Sequence, residues 1–180
     1  MVDRHVALLR GINVGTANRI AMADLRAVFA GLGYSDVRTL LNSGNVVYTV
    51  DKRGDGDDLD RIERAIVEQC GVKTRVIVLK GKEVAAAVKE NPLTSVADNP
   101  SKLLVMAFRD LKAVAHVRPL LKERWDPEAL ALGSRVAYLW CAEGIVDSRV
   151  WAAVGRAVGD AGTARNIATM TKLLALVEES

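Results

Sequence analysis

The chain has 180 residues, of which half are hydrophobic and 26% are charged, and its net charge is +3 with a pI near 9.0. This much apolar material excludes a disordered low-complexity chain, and a length of 180 residues fits one domain or two small lobes. No apolar run approaches the roughly 18 residues that cross a bilayer, so no membrane association is expected and the expected location is cytoplasmic. The modest net charge permits an anionic partner without requiring one.

Six elements are predicted in the first half of the chain, in the order β-α-β-β-α-β. Short apolar runs predict the strands, and apolar residues spaced three or four apart predict the helices. The strands are His5–Leu9, Val37–Leu41, Val46–Val50 and Val76–Leu79. The first helix carries Met22, Leu25, Phe29 and Leu32, and the second carries Leu59, Ile62, Ile66 and Cys70. This element order is the ferredoxin-like arrangement.

Turn and cap residues set the expected boundaries of these elements. The stretch Asn42–Asn45 predicts a hairpin turn between the second and third strands, and Gly33 stands where the first helix would end. Asp51–Asp57 is a polar loop, after which Asp57 or Asp58 would cap the second helix.

The element order then repeats in the second half, although no residue-level repeat is visible. A helix over 82–90 ends at Asn91-Pro92, and a polar linker follows it. Strands are predicted at Leu103–Phe108, Ala129–Leu132, Arg135–Cys141 and Thr163–Asn166. The helices carry Leu111, Val114, Val117 and Leu121, then Val150, Trp151, Val154 and Val158, then Ile167, Met170, Leu173, Leu174 and Val177. Pro119 predicts a kink or late start in the first of these helices, and Asp147 or Ser148 would cap the second.

These elements predict an α+β fold of two tandem ferredoxin-like lobes with mainly antiparallel sheets. The first lobe and an extra helix would occupy residues 1–91, and the second lobe and a C-terminal helix residues 92–180. A ferredoxin-like sheet has helices on one face, which favours strands that alternate apolar and polar residues. The strands here are apolar on both faces. The open faces should therefore be covered, by a partner subunit or, more simply, by the other lobe.

Two polar clusters should meet at one end of the first sheet. The first follows the first strand, and the second forms the next hairpin. Their members are Arg10, Gly11, Asn13 and Gly15, with Asn18 and Arg19 beyond, and Ser43, Gly44 and Asn45. In the ferredoxin-like order the first two strands run parallel with the third between them, so both loops lie at the same end. Glycine and asparagine let backbone amides turn toward one point, which favours an anion-binding concavity.

A third polar cluster enters the last helix. It contains Thr163, Arg165 and Asn166, with Lys172 inside the helix. All three clusters also have structural interpretations, because tight turns use glycine and asparagine and Asn166 could simply cap the helix. Arg10 and Arg165 could each pair with a carboxylate across the interface between the lobes. The residue types alone leave both interpretations open.

The same residues carry a family resemblance. The segments ALLRGINVG, MADLR, LGYSDVRT and NSGNVV, with TARN and TKLLAL near the C-terminus, resemble a bacterial family known as domain of unknown function 1697. The resemblance covers nearly the whole chain and implies a two-part ferredoxin-like fold, with no established activity, substrate or catalytic residue. The family signature falls on Arg10, Gly11, Asn13, Gly15, Ser43, Gly44, Asn45, Thr163, Arg165, Asn166 and Lys172. This chain departs from the family pattern at Ile167-Ala168-Thr169 and at Gly144-Ile145-Val146.

Catalytic and metal-binding constellations are not evident in the sequence. RGINVG is neither a dinucleotide fingerprint nor a phosphate-binding loop with its lysine and serine. His5 and His116 are isolated, and Cys70 and Cys141 fit no metal or redox spacing and are expected to be core residues. The acidic stretch 55–58 has no glutamate at calcium-loop spacing after it. No metal or cofactor is therefore expected, and catalytic residues are not identified.

Two functions from different classes remain. The first is binding of a phosphorylated or other anionic small ligand by the Arg10–Gly15 and Ser43–Asn45 loops, with Arg165 and Asn166. The second is association with RNA or DNA through the same loops. The RNA-recognition motif shares the ferredoxin-like order, but of its stacking aromatics the third strand has only Tyr48. Whether the protein is an enzyme, and its oligomeric state, are left open.

Overall fold

The computed structural model describes residues 2–51 and 59–179, so most of the Asp51–Asp57 loop and the expected cap at Asp57 or Asp58 lie outside the described residues. The described residues form eight strands and six α-helices. They fall into two compact units, one of Met1–Lys82 with Ala175–Ser180 and one of Glu83–Leu174. No helix within the described ranges is long and apolar enough to cross a bilayer.

The first unit is built on a four-stranded antiparallel sheet with the strand order β2-β3-β1-β4. Its elements in chain order are β1 Asp3–Leu9, α1 Met22–Gly31, β2 Ser35–Leu40, β3 Asn45–Val50, α2 Leu59–Cys70 and β4 Val76–Lys80. Because β3 is antiparallel to both β1 and β2, those two strands run parallel to each other. The end of β1 and the β2–β3 turn therefore lie at the same end of the sheet.

Both helices of the first unit pack on one face of this sheet. Ala7 and Leu9 of β1 alternate with side chains on the other face and share a buried cluster with Phe29 of α1 and with Ile62 and Ile66 of α2. The apolar residues at helical spacing in the sequence are thus the ones that pack each helix against the sheet. The core positions the loops that follow β1 and β2.

Helix α1 ends as its sequence predicts. Leu32 is its C-cap, and Gly33 follows with φ +94°, in the left-handed region that glycine occupies without strain. The amide of Gly33 donates to the Ala30 carbonyl, and the amide of Tyr34 donates to the Phe29 carbonyl. This pair of hydrogen bonds is the Schellman motif, which satisfies carbonyls at the end of the helix.

The second unit contains a second four-stranded antiparallel sheet, with the order β6-β7-β5-β8. Its elements are α3 Gly81–Lys89, which begins at the boundary of the unit, then β5 Leu103–Phe108, α4 Leu111–Val117, β6 Ala129–Leu132, β7 Val136–Trp140, α5 Arg149–Val158, β8 Gly162–Asn166 and α6 Ile167–Glu178. Strand β5 lies between β7 and β8. The predicted α+β class with antiparallel sheets is confirmed.

Two boundaries left open by the sequence are resolved in this unit. The α-helix predicted to include Leu121 ends at Val117, and residues 118–122 continue as a 3-10 helix with Pro119 in its first turn. Proline has no N–H to donate, which is tolerated only at such a start. Of the two possible caps of α5, Ser148 is the one that acts, since its side chain accepts a hydrogen bond from the Trp151 amide.

The compact units divide at a different point from the expected lobes of 1–91 and 92–180. Helix α3 belongs almost wholly to the second unit, where Arg135 donates to Glu83 at 3.2 Å. The C-terminal residues from Ala175 onward belong to the first unit, where Arg4 donates to the carbonyl of Val177 at 3.1 Å. Tertiary contacts of this kind have no local sequence signal.

The central strands are buried on both of their faces, as their unbroken apolar sequences predict. In β1, Val6 and Leu8 have no exposed surface, and Ala7 and Leu9 on the opposite face have none either. In β5 every residue is buried. The alternation of apolar and polar residues seen in a half-exposed sheet is absent from these two strands.

Candidate functional site

The loop after β1 and the β2–β3 turn contact each other, as the strand order predicts. The amide of Leu9 donates to the carbonyl of Gly44 at 2.8 Å. Farther out, the side-chain amide of Asn13 donates to the carbonyl of Asn42 at 2.7 Å. Two polar clusters separated by about thirty residues of sequence are therefore joined by direct hydrogen bonds.

Gly44 is required by packing where these loops cross. A Cβ at this position would lie 2.7 Å from Cβ of Leu9 and 3.0 Å from Cδ1 of Ile12. Its φ of +87° also lies in the left-handed region. The glycine of the SGN segment thus permits close packing of two backbones and has no side chain to offer a ligand.

Asn13 connects the end of the first loop with the β2–β3 turn. Its Nδ2 donates to the carbonyls of Ile20 and Asn42, at 2.9 and 2.7 Å, and its Oδ1 accepts from the amide of Ile20 at 2.8 Å. Both amide hydrogens are therefore engaged inside the protein. The residue has φ +52°, a conformation that asparagine tolerates better than most residues.

Asn45 is fully buried at the start of β3. Its Nδ2 donates to the carbonyl of Leu40 at 2.8 Å and to the hydroxyl of Ser43 at 2.9 Å. This network closes the hairpin turn, so the amide group of Asn45 holds the turn in shape. Ser43 itself is exposed.

Arg19 holds the outer part of the first loop. Residues Val14 and Ala17 form a single antiparallel bridge around the tight turn that contains Gly15. The guanidinium of Arg19 donates to the carbonyl of Gly15 at 3.2 Å and to that of Asn13 at 3.4 Å. These acceptors are neutral, so they do not cancel the charge of Arg19.

The glycines of this loop differ from Gly44. Gly11 and Gly15 have φ of +66° and +61°, and a Cβ at either position would meet no atom within 4 Å. Both residues are exposed. They allow the loop to turn sharply without being packed against another element.

An open cleft of about 450 Å³ lies beside this loop. It is lined by Asn13, Arg19, Ile20, Ala21, Met22 and Asn42. Helix α1 starts in its wall, and its N-cap, Ala21, has no side chain that could accept a hydrogen bond from the first turn. The first amides of a helix have no intrahelical partner, and they favour anions. Asp24 in that turn brings one negative charge to the same helix end.

The loops at this end of the sheet carry positive charge without carboxylates. They span residues 10–21, 41–44 and 71–75, and they contain Arg10, Arg19, Lys73 and Arg75 but no aspartate or glutamate. All four cationic residues are exposed. Glu63 of α2 reaches this end, lies 3.6 Å from Arg75 and accepts the amide of Val76.

Arg10 is an exposed residue whose backbone is fixed by hydrogen bonds. Its amide donates to the carbonyl of Arg75 at 2.9 Å, and its carbonyl accepts from the hydroxyl of Thr74 at 2.7 Å. The side chain is exposed, which differs from the alternative in which Arg10 is buried against a carboxylate.

The third predicted cluster belongs to the second unit. Arg165 of β8 donates to the hydroxyl of Thr163 at 3.0 Å and to the carbonyl of Ala164 at 2.9 Å, and burial lowers its pKa to about 10. Asn166 accepts the amide of Thr169 at 2.9 Å. The structural interpretation of Asn166 as a helix cap is therefore confirmed. Lys172 is exposed on α6.

Sequence reasoning missed several residues that form the cleft. The sequence pattern places Arg19 and Asn42 next to the predicted clusters but not in them. It gives no indication that Ile20, Ala21 and Met22 line a cleft. The available signal was a cation followed by an apolar residue directly before a helix. That signal is weak, because many helix starts have it.

His5 and Cys141 are buried and Cys70 is half-buried, whereas His116 is exposed on α4. His5 is 3% exposed, and its Nε2 lies 3.3 Å from Asp3. Cys141 is buried and Cys70 half-buried, and burial raises the pKa of both thiols. Within residues 2–51 and 59–179 no three His, Cys, Asp or Glu side chains form a metal-binding group.

Comparison with known proteins identifies the family. No curated protein is significantly similar to the chain. A solved structure described as that of "conserved bacterial protein SP0830 from Streptococcus pneumoniae" matches 99% of this chain and 100% of its own, with a TM-score of 0.74 and 19% sequence identity. At that identity the likeness shows a shared α+β fold. The model of the family described as "Protein of unknown function (DUF1697)" matches residues 2–138, so the chain belongs to the DUF1697 family.

Proposed function

We propose that this protein binds a small anionic ligand, with phosphorylated compounds the best fit, in the cleft beside Arg19. The observation that carries the proposal is the cleft itself, about 450 Å³ in volume and lined by Arg19, Asn13, Asn42 and the start of α1. Pockets for small ligands commonly have volumes of about 300–1,000 Å³. The surrounding loops supply cations and no carboxylates.

The chemistry of recognition follows from the geometry of Arg19. Its guanidinium donates to two carbonyls, and a guanidinium has five N–H donors in a planar fork. The remaining donors suit two oxygens of a phosphate or carboxylate, and hydrogen bonds between charged groups are stronger than neutral ones. The amides of the first turn of α1 add a favourable field for an anion.

The predicted site residues divide between two roles in this proposal. Asn13, Gly44 and Asn45 build the loops beside the cleft, while Arg10, Gly11, Gly15 and Ser43 are exposed on the same loops. Arg165 and Asn166 are not part of the proposal, because their side-chain hydrogen bonds hold β8 and α6. The proposed binding site thus lies at the end of the first sheet that the sequence predicts, with Arg19 in place of Arg10 as its central cation.

A small ligand is favoured over single-stranded nucleic acid. Proteins that bind single strands stack bases on exposed aromatic rings. The three Trp, three Tyr and two Phe residues, all in the described part of the chain, are buried, except for the half-buried Trp151. Tyr48, the residue that invites comparison with the RNA-recognition motif, has no exposed surface.

We further propose that each unit is a ferredoxin-like lobe and that the protein is cytoplasmic. The support for the fold is the βαββαβ element order together with a strand order in which the first strand lies between the third and the fourth in both sheets. The support for the location is a pair of free cysteines, which is usual in reducing compartments.

The proposal is tested by calorimetric titration with phosphate compounds at constant ionic strength. Inorganic phosphate, glycerol phosphate and a nucleoside monophosphate are titrated into the full chain, with a short oligonucleotide as the competing class. We expect a small phosphate compound to bind and Arg19→Gln to weaken it by about 1.5–3 kcal/mol, the range for a hydrogen bond to a charged group. Glutamine keeps a donor for the loop carbonyls and removes the charge.

The matched control is Arg64→Gln. Arg64 is an exposed arginine of the same unit, and its side chain donates to the carbonyl of Asp60 in its own helix. This change should leave affinity unaltered. Equal binding by the parent and Arg19→Gln, or no binding of any phosphate compound, would contradict the proposal. Binding of the oligonucleotide alone would favour the nucleic-acid alternative.

A further inference from the structure

Part of the lining of the cleft is apolar. Ile20, Ala21 and Met22 line it, with Ile20 buried and Met22 half-buried. The cleft of about 450 Å³ falls in the size range of sites for whole small ligands, so an inorganic phosphate alone would leave part of it empty. The rest of the cleft is bordered by the hydrocarbon of Ile20, Ala21 and Met22.

Two exposed aliphatic residues are next in the chain to residues that line the cleft. Val14 is 72% exposed and Leu41 is 55% exposed. They are the chain neighbours of the lining residues Asn13 and Asn42, which are joined by a 2.7 Å hydrogen bond. A single exposed leucine or valine is ordinary on a protein surface. Here two of them lie on hydrogen-bonded loops, each one position from a residue that lines the cleft.

Leu41 is also an unexpected residue for its backbone position. Its φ is +58°, in the left-handed region where asparagine and glycine are common and a leucine is strained. Its side chain is largely exposed, so core packing does not offset the backbone strain. Neither the backbone conformation nor core packing accounts for an aliphatic side chain at this position, and its exposure leaves it available for contact with a ligand.

We infer that the ligand of this cleft carries an apolar portion next to its anionic group, as in an alkyl or acyl phosphate. Arg19 binds the anionic group, and Met22, Val14 and Leu41 contact the hydrocarbon. The inference rests on the function proposed above and adds the class of ligand. The small volume of the cleft favours this occupant over a segment of a partner protein.

The test is a series of methyl, butyl and hexyl phosphate titrated into the full chain at constant ionic strength. Affinity should rise with chain length, by up to about fourfold per methylene, which corresponds to ~0.8 kcal/mol for each buried CH₂. The double variant Val14→Thr, Leu41→Asn should bind methyl phosphate as the parent does and lose most of the gain for hexyl phosphate. Asparagine suits the left-handed backbone at position 41, so the fold should be retained.

The control variant is Val67→Thr, which makes the same change at a 44% exposed valine on α2. It should keep the full dependence on chain length. If hexyl phosphate binds the parent no more tightly than methyl phosphate, or if the gain survives in the double variant, the inference is overturned and anion binding stands. If none of the phosphates binds the parent, the proposed function fails and the inference fails with it.

Discussion

At the scale of single residues, Gly44 occupies a position with no room for a side chain. A Cβ there would approach Leu9 to 2.7 Å, and the backbone has φ +87°. We expect Gly44→Ala to lower the free energy of unfolding by roughly 2–5 kcal/mol, combining left-handed strain of about 1–2 with overpacking of about 1–3. Denaturant unfolding of the two proteins measures the difference.

Gly11→Ala separates the two contributions. Gly11 has φ +66° with no atom within 4 Å of the added Cβ, so it carries the backbone strain alone. We expect a loss of about 1–2 kcal/mol. Equal losses in the two variants would mean that the contact with Leu9 relaxes, and that packing at Gly44 contributes nothing.

The sequence predicts where these polar residues lie better than what they do. The strand order alone places the Arg10–Gly15 loop next to the hairpin at Ser43–Asn45, and the 2.8 Å bond from Leu9 to Gly44 agrees. An asparagine in a turn can bind a ligand or hold the turn. The deciding bond, from Asn13 to Asn42, joins residues 29 positions apart, and no local pattern encodes it.

At the scale of secondary-structure elements, α5 depends on a buried carboxylate from outside the helix. Glu128 is 8% exposed and accepts hydrogen bonds from the amides of Arg149 and Val150, at 2.9 and 3.2 Å, and from the hydroxyl of Ser148. A negative group at a helix N-terminus is favoured by the helix dipole. Glu128 therefore acts together with the Ser148 cap.

We expect Glu128→Ala to lower the free energy of unfolding by roughly 2–4 kcal/mol, because it leaves buried donors without an acceptor. Glu128→Gln keeps one acceptor oxygen and should cost less. The control is Asp110→Ala, which removes an exposed cap of α4 and should cost about 1 kcal/mol. A cost at Glu128 no larger than at Asp110 would show that the carboxylate is an ordinary cap.

Helix ends show which structural features can be predicted from local sequence and which cannot. Gly33 and Ser148 mark their helix ends because capping chemistry is local. Glu128 lies about twenty residues from the helix it caps, so its role depends on the fold. Pro119 predicts a kink or a late helix start, and in the structure it lies in the first turn of a new 3-10 helix.

At the scale of the whole molecule, the C-terminal residues stabilise the first unit. Arg4 of β1 donates to the carbonyls of Leu176, Val177 and Glu179, and its side chain is only 12% exposed. A Cβ on Gly81 would lie 2.9 Å from Val177, so that side chain packs closely on the backbone after β4. The first and last segments of the chain are thus parts of one compact unit.

We expect a chain ending at Leu174 to lose roughly 2–4 kcal/mol of stability, because it removes Val177 and leaves a half-buried Arg4 without these carbonyls. Thermal unfolding of both lengths measures the loss. Arg4→Ala serves as the second arm of a double-mutant cycle, and it should cost less in the shortened chain than in the full one. Additive costs would mean that the two segments are not coupled.

The position of β5 between β7 and β8 shows that the residues matched by the family model do not form a complete second sheet. The family match stops at residue 138, inside β7 and ahead of β8. A polypeptide cut there would leave a central strand with one edge unpaired and its hydrophobic residues uncovered. The matched region therefore ends before the second sheet is complete, whereas the likeness in fold to the Streptococcus pneumoniae protein extends over 99% of this chain.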